Sequence, residues 1–208
     1  MQRCLFLSAL LATGCVRHAD TPLMATASRG DLAGLEALVR SGTPVDESDS
    51  YGHTALIAAS RAGRTESIRA LIRLGADPNR RGGVNGWTPV MHAIHKAQRN
   101  AVAALIEAGA DANAKTRRGL TALTMAAGYG DTDTVRLLLA LGANPHDPEA
   151  LAVALTGVPD IDKFTLGDCQ NQTVRALFDA APDLQLPATS YGRWARRLAS
   201  RRRCPGVP

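Results

Sequence analysis

Apolar and polar residues alternate along this chain with a period of about 33 residues, and within each period they follow the spacing of a helix. Leu35, Leu38 and Val39 stand at positions i, i+3 and i+4, which share one face of an α-helix. The same spacing returns at Ile68/Leu71/Ile72, Val102/Leu105/Ile106 and Val135/Leu138/Leu139. The pattern predicts a series of amphipathic helices, and one such unit is too small to bury its apolar face without stacking on neighbours.

Fixed landmarks divide each period into two helices. A threonine begins each unit and favours the N-cap of a short first helix, which in two units has proline at its first position. A small residue follows nine positions later, and a glycine twenty-one positions after the threonine predicts a left-handed turn at the end of the second helix. Asp77 and Asp111 then begin extended hairpins. The landmarks are Thr21, Thr54, Thr88 and Thr121; Gly30, Gly63, Ala97 and Gly130; and Gly42, Gly75, Gly109 and Gly142.

These four in-register units resemble ankyrin repeats. The resemblance extends from about Pro22 to Asp183 and implies an all-α ankyrin repeat solenoid, built of helix–turn–helix units with short β-hairpin loops. About five repeats including caps are expected, at 21–50, 51–84, 85–117 and 118–148, with a degenerate cap at 149–183. In the cap, Glu149 to Leu155 and Thr173 to Ala180 are predicted to be helices on either side of a long loop. The chain departs from the family at Ile57, Met91 and Thr124, where histidine is common, at Ala97, and by one extra residue in the hairpin 80–87.

The first fifteen residues have the pattern of an export signal. Arg3 precedes a short apolar run from Leu5 to Leu11, and small residues lead to Cys15. The run is too short for a bilayer core of roughly 30 Å. This end resembles a bacterial lipoprotein signal, although Ala12 stands where leucine is most common. The resemblance implies a signal peptide at 1–14, lipid on Cys15, a short tether at 15–20 and, since Val16 follows, the outer membrane facing the periplasm. An ordinary secretory signal with a chance cysteine is the alternative.

Composition and charge change the picture in two ways. Aromatic residues make up only 4% of the chain, so alanine and aliphatic residues must fill the core, as closely stacked small helices require. The net charge is +5, but six arginines lie in residues 193–208 and the last acidic residue is Asp183, so removing this stretch leaves −1. The basic tail, 184–208, is predicted to cap the last repeat or to contact anionic lipid through Trp194 and Leu198. Export from the cytoplasm argues against nucleic acid as a binding partner of this tail.

The cysteines are consistent with export. Cys4 would leave with the leader and Cys15 would carry lipid, so Cys169 and Cys204 remain. In an oxidising compartment these two can form a disulfide that ties the tail to the cap, and two unpaired thiols are the alternative. No CxxC spacing indicates a zinc site.

No sequence motif indicates catalysis or a cofactor. The chain contains no GxGxxG, Walker, HExxH or GxSxG motif. His92 and His95 have the spacing of two metal ligands on one helix, but no third ligand is apparent nearby, and His92 falls at a packing position between repeats. Neither an enzyme nor a metal site is therefore predicted, and no small-molecule substrate is expected.

A protein-binding surface is predicted instead. In ankyrin arrays the hairpin tips and the exposed ends of the first helices form a concave binding face. Tyr51, Trp87 and Tyr129 are the only aromatic residues between 21 and 163, and all three fall there. Aromatic residues and arginine contribute most to interface energies, although these rings could instead brace the hairpins. The predicted binding residues are Tyr51, His53, Arg61, Asn85, Trp87, His95, Lys96, Arg117, Arg118 and Tyr129, with Arg29 and Leu120 beside them.

The sequence thus predicts a non-catalytic protein–protein interaction module that is tethered to a membrane in the periplasm. Its basic flanks favour an acidic or mixed partner surface, and its role would be that of a scaffold or protective partner of a periplasmic enzyme. An immunity-type inhibitor of a toxin or enzyme is the alternative. A cytoplasmic ankyrin adaptor, with a wrongly assigned start, is a further alternative.

Overall fold

The computed structural model describes residues 20–156, 171–188, 192, 193, 195 and 197. Cys15, Cys169, Cys204, Trp194 and Leu198 lie outside these residues, as do the predicted leader and most of the long loop in the cap. Within the described ranges the chain forms ten helices and isolated β-bridges. The helices are α1 (Pro22–Arg29), α2 (Leu32–Arg40), α3 (Ala55–Arg61), α4 (Thr65–Arg73), α5 (Pro89–His95), α6 (Arg99–Glu107), α7 (Ala122–Tyr129), α8 (Thr132–Ala140), α9 (Pro148–Thr156) and α10 (Asn171–Ala180).

The helices stack in two layers. The first helices of the units, α1, α3, α5, α7 and α9, each contact the next, and the second helices, α2, α4, α6, α8 and α10, do the same in a second layer. Short hairpins connect the units, with bridges between Ser48 and Thr54 and between Gly82 and Trp87. The predicted all-α solenoid of helix pairs is confirmed. No helix in the described part of the chain is long and apolar enough to cross a membrane.

The threonine caps explain where the first helices begin. The side-chain oxygens of Thr21 and Thr54 accept hydrogen bonds from the backbone N–H groups three residues later, at 3.3 and 3.4 Å. Thr88 and Thr121 do the same at 3.5 and 3.0 Å. Each bond satisfies one of the N–H groups that the first helical turn leaves without a partner. The predicted caps are therefore present in all four units.

The apolar stripes form the interface between the layers. In the second, third and fourth units the first two stripe residues are buried, as Ile68 and Leu71 illustrate, whereas the third is half-exposed. In the first unit only Leu35 is fully buried, and Leu38 is half-exposed. The reason is that, among the described elements, α2 has a second-layer neighbour on one side only.

A hydrogen-bond ladder joins the residues that follow the second helices. The carboxylate of Asp46 accepts from the Asp77 N–H at 3.2 Å, and Asn79 Oδ1 accepts from the Asp111 N–H at 2.8 Å. Asn113 continues the series, because its Oδ1 accepts from the Asn144 N–H at 2.7 Å and its Nδ2 donates to the Gly142 carbonyl at 3.2 Å. The ladder fixes the spacing of successive hairpins, which carry the candidate site.

The departure at Ala97 has a conformational consequence. Glycine occupies the equivalent position in the other three units, at φ values of +68° to +84°. Ala97 adopts the same left-handed conformation at φ +55°, and it is the non-glycine residue with positive φ in the described chain. This conformation costs an L-residue roughly 1–2 kcal/mol, because Cβ approaches the following carbonyl oxygen.

The degenerate unit closes the stack through polar and apolar contacts. Asp147 Oδ2 accepts hydrogen bonds from the hydroxyls of Thr121 and Thr124, at 2.7 and 3.0 Å, in place of a full hairpin. Beyond α10, Leu184, Leu186 and Ala195 are buried in the hydrophobic core. These three residues of the tail thus pack against the cap, while Trp194 and Leu198, on which the predicted lipid contact depends, lie outside the described residues.

Candidate protein-binding groove

Six rings from three consecutive units form a continuous series across the hairpin side of the stack. The order is Tyr51, His53, His92, Trp87, His95 and Tyr129, with successive ring centroids 6.1, 5.4, 5.4, 5.1 and 6.1 Å apart. We call this series the ring ladder. The rings meet at tilted or edge-to-face angles, which are favourable arrangements for aromatic pairs. Side chains far apart in sequence thus form one surface.

Each ring is positioned by the element that carries it. Tyr51 and His53 lie in the hairpin before α3, which we call the second hairpin. Trp87 closes the hairpin 80–87 before α5, which we call the third hairpin, through its bridge with Gly82. His92 and His95 lie one turn apart on α5, and Tyr129 ends α7. Because consecutive units stack in register, residues 34 positions apart come into contact.

The ring ladder borders three adjoining recesses, which together we call the ring groove. The central recess has a volume of about 340 Å³ and the flanking ones about 360 and 150 Å³. Of the predicted residues, Tyr51, His53, Arg61, Asn85, Trp87 and His95 line the central recess. Lys96 lines the recess toward the first unit, and Arg117, Arg118 and Leu120 line the one toward the fourth. Tyr129 joins through its contact with His95, whereas Arg29 lines none of the three.

Two glycines of the third hairpin, Gly82 and Gly83, shape the wall of the central recess. Gly82 is buried against the second hairpin, and a Cβ on it would lie 2.5 Å from the Gly52 carbonyl oxygen and 2.6 Å from Ile57 Cδ1. The N–H of Gly83 donates to the Tyr51 carbonyl at 2.9 Å, so the two hairpins are joined. The glycine pair therefore brings backbone, instead of side chains, to the wall of the recess.

His92 is a site residue that sequence reasoning assigned to packing. Its side chain lines the central recess but is only 6% exposed, and its Nε2 atom is buried with no hydrogen-bond partner in the described structure. Burial, followed by the charges of His53 and Arg61, lowers its pKa from 6.5 to about 3, and a hydrogen bond between the imidazole and the Gly82 backbone opposes this shift in part. The imidazole is therefore neutral at physiological pH and presents one unmatched nitrogen.

His53 is held in place by Asp49. The Nδ1 atom of His53 lies 3.1 Å from Asp49 Oδ2, and the backbone N–H groups of Tyr51 and His53 donate to Asp49 Oδ1 at 2.8 Å each. Burial raises the pKa of Asp49, but these hydrogen bonds from His53 and Tyr51 outweigh it and hold the pKa below its usual range. Asp49 is thus engaged in shaping the hairpin.

Cationic side chains outnumber acidic ones in the groove, where Asp20 lines the recess toward the first unit together with Arg61 and Lys96. Arg61, Lys96 and Arg117 are exposed, and no acidic side chain in the described ranges forms an ion pair with any of them. Arg99, by contrast, lies 2.9 Å from a carboxylate oxygen of Asp131 and contributes to packing between repeats. These three cations therefore give the groove a net positive lining among the described residues.

The rings differ in how far they are exposed. Tyr51 is 45% exposed, whereas Trp87 and Tyr129 are half-buried and pack against the hydrophobic core. Trp87 and Tyr129 thus brace the repeats, whereas their contribution to binding stays a prediction. Among the three rings, Tyr51 is the most exposed, so its contribution to binding can be tested with the least effect on packing. The described residues contain no group of three His, Cys, Asp or Glu side chains placed to hold a metal ion.

Comparison with known proteins supports the repeat assignment. A family model of ankyrin repeats in three copies matches residues 4–82 and 80–149. The chain is 34% identical over 136 residues to glycerophosphocholine phosphodiesterase gde1 of Schizosaccharomyces pombe, which is 64% of this chain and 12% of that protein. It is 30% identical over 134 residues to an ankyrin repeat-containing protein of Treponema pallidum, which is 64% of this chain and 45% of that protein. It is 34% identical over 147 residues to the mouse B-cell lymphoma 3 protein homolog, which is 66% of this chain and 33% of that protein. The chain thus spans less than half of each of these relatives.

Proposed function

Because the chain belongs to the ankyrin repeat family, whose repeats are protein–protein interaction modules and are generally non-catalytic, we propose that the ring groove binds a partner protein. We further propose that a lipid on Cys15 holds the domain at a membrane facing the periplasm. There it would act as a scaffold or protective partner of a periplasmic enzyme.

The observation that carries the proposal is the ring ladder with its exposed cations. A chain with 4% aromatic residues places three of them, with three histidines, in one series across three units. Arg61 and Lys96 stand beside these rings without acidic partners in the described part of the chain. Aromatic and arginine side chains are the usual energetic centres of protein interfaces. Such a surface is suited to a partner with acidic and apolar groups.

The decisive experiment compares partner capture by groove and outer-layer variants. Membranes of the source cells would be cross-linked and solubilised, and proteins bound to the full-length tagged chain would be identified by mass spectrometry. Tyr51→Ala combined with Arg61→Ala should lose the specific partner, because both side chains are exposed in the groove. Arg73→Ala, on the second-layer helix α4, should retain it. A partner that both variants retain, or that both lose, would contradict the proposal.

The membrane tether is tested separately. Cys15→Ser should move the protein from the membrane fraction to the soluble fraction of the periplasm or block processing of the leader. Mass spectrometry of the wild-type protein should find an N-terminal peptide that begins at Cys15 and carries acyl chains. An intact chain that retains Met1 in the cytoplasm would favour the adaptor alternative.

A further inference from the structure

We propose that the central recess of the ring groove recognises the carboxylate of an internal Asp or Glu side chain in an extended segment of the partner protein. This inference rests on the proposed function and names the chemistry of the group that the recess selects. It is carried by three features: an unpartnered buried nitrogen, a nearby guanidinium, and recesses that continue on both sides.

The first feature is the unmatched hydrogen-bonding group of His92. A buried polar atom without a partner costs free energy, so native proteins rarely leave one unless a ligand or water supplies the bond. Nε2 of His92 is such an atom, in a side chain that is 6% exposed and lines the recess. The proposal requires the neutral tautomer that carries its proton on Nε2, because this nitrogen then donates one hydrogen bond that a carboxylate oxygen accepts.

The second feature is the charge at the recess. Arg61 lines it, is exposed and has no acidic partner among the described residues. A cationic side chain of a partner would be repelled by Arg61 and by Lys96 in the adjoining recess. An anionic group would instead gain a charge-assisted hydrogen bond. One imidazole N–H and one guanidinium match the two oxygens of a carboxylate, and the rings of Tyr51 and Trp87 give its aliphatic stem an apolar surface.

The third feature distinguishes an internal acidic residue from a chain terminus. The central recess shares His53 and Arg61 with the recess toward the first unit. It shares Asn85 and Trp87 with the recess toward the fourth unit. A bound segment can therefore continue in both directions across the stack, as an internal residue requires.

The backbone of the third hairpin makes room for this group. Gly82 and Gly83 bring no side chain into the recess, and a Cβ at Gly83 would lie 3.1 Å from His53 Nε2 and 3.8 Å from His92 Cε1. A larger residue at Gly83 would therefore crowd the histidines at the proposed binding position.

The test is a selection of random dodecapeptides displayed on phage against the full chain. An acidic residue next to an apolar one should be enriched among the selected peptides. For a synthetic peptide blocked at both termini, replacing the selected acid by its amide should weaken binding about tenfold, the effect expected of one charge-assisted hydrogen bond. Tyr51→Ala should weaken the binding of both peptides.

Two variants show whether the acid preference belongs to this recess. Arg61→Gln is an exposed change that should leave the fold intact. It should reduce the acid-to-amide ratio, which is the affinity for the acidic peptide divided by that for its amide variant, to about threefold or less, since the charge is lost. His92→Phe, checked for folding by circular dichroism, should reduce the ratio as well, whereas Arg73→Gln on α4 should not. A ratio unchanged in Arg61→Gln and His92→Phe would overturn the inference, as would selection of basic peptides or of free C-terminal carboxylates. If peptides bind through Tyr51 without any acid preference, the inference fails while the proposed function stands.

Discussion

The Nδ1 atom of His95 lies 2.7 Å from the hydroxyl oxygen of Tyr129, thirty-four residues away in the next unit. His95 ends α5 and Tyr129 ends α7, so this hydrogen bond joins two neighbouring first helices at the surface of the ring groove. The two rings also lie in contact, with centroids 6.1 Å apart. The proposed binding surface is thus part of the interface that holds the units together.

Tyr129→Phe should therefore destabilise the fold while keeping the ring. Loss of the hydroxyl removes the bond to His95, and the expected decrease in the free energy of unfolding is about 0.5–1.5 kcal/mol, the usual net value of one hydrogen bond. Urea denaturation followed by circular dichroism measures it. A double-mutant cycle with His95→Leu isolates the pair, and a coupling energy of zero would show that the contact contributes nothing.

Ala97→Gly should stabilise the protein. Ala97 holds a left-handed backbone that costs an L-residue roughly 1–2 kcal/mol, and glycine avoids this cost but loses part of the gain through its greater freedom in the unfolded chain. The expected net increase in the free energy of unfolding is about 0.5–1 kcal/mol. Gly30→Ala is the matched reverse change, because Gly30 occupies the equivalent position at φ +84° and a Cβ there meets only ordinary contacts. Gly30→Ala should lower the free energy of unfolding. If Ala97→Gly and Gly30→Ala changed it in the same direction, the explanation would be wrong.

The sequence predicted the fold far better than the detail of the groove. Helix pairs, threonine caps and the buried stripe positions such as Ile68 follow from local spacing, which every unit repeats. The role of His92 does not, since it depends on the hairpin 80–87 that precedes α5 and on His53 from the hairpin before that. The extra residue in the hairpin 80–87 was visible as a change of period, but the effect of Gly82 and Gly83 on the recess arises only from contacts between hairpins.

Asn113→Ala should weaken the ladder between the third and fourth units. The change removes the acceptor for the Asn144 N–H and the donor to the Gly142 carbonyl. Because the ladder is exposed to water, which replaces part of the lost bonding, we expect a decrease of about 1 kcal/mol in the free energy of unfolding. Asn113→Asp keeps the acceptor and should recover part of the loss. Thermal denaturation should therefore give the highest melting temperature for the wild type, an intermediate one for Asn113→Asp and the lowest for Asn113→Ala. A melting temperature of Asn113→Ala between the other two would contradict this prediction.

Trp87→Ala should lower both stability and partner affinity. Trp87 contacts His92 and His95 and packs against the core while lining two recesses of the groove. Truncating such a side chain is expected to cost over 1 kcal/mol of binding and about 2–3 kcal/mol of stability, since the ring is only half-buried. Tyr51→Ala is the comparison, because its exposed ring should affect binding with little change in stability. Calorimetric titration with a selected peptide and urea denaturation separate the two effects.

Stability should fall as the pH decreases from 7 to 5, and His92 should account for part of this dependence. Burial lowers the pKa of His92 from 6.5 in the unfolded chain to about 3 in the fold, so between these values the unfolded chain binds a proton that the folded chain excludes. The slope is at most roughly 1.4 kcal/mol per pH unit, and the lowered pKa values of Asp49 and Asp131 act only at lower pH. In His92→Leu the loss between pH 7 and pH 5, measured by urea denaturation, should be smaller by about 2 kcal/mol. His53 and His95 are present in both proteins. An identical pH dependence in the two would mean that His92 is accessible to protons in the folded state.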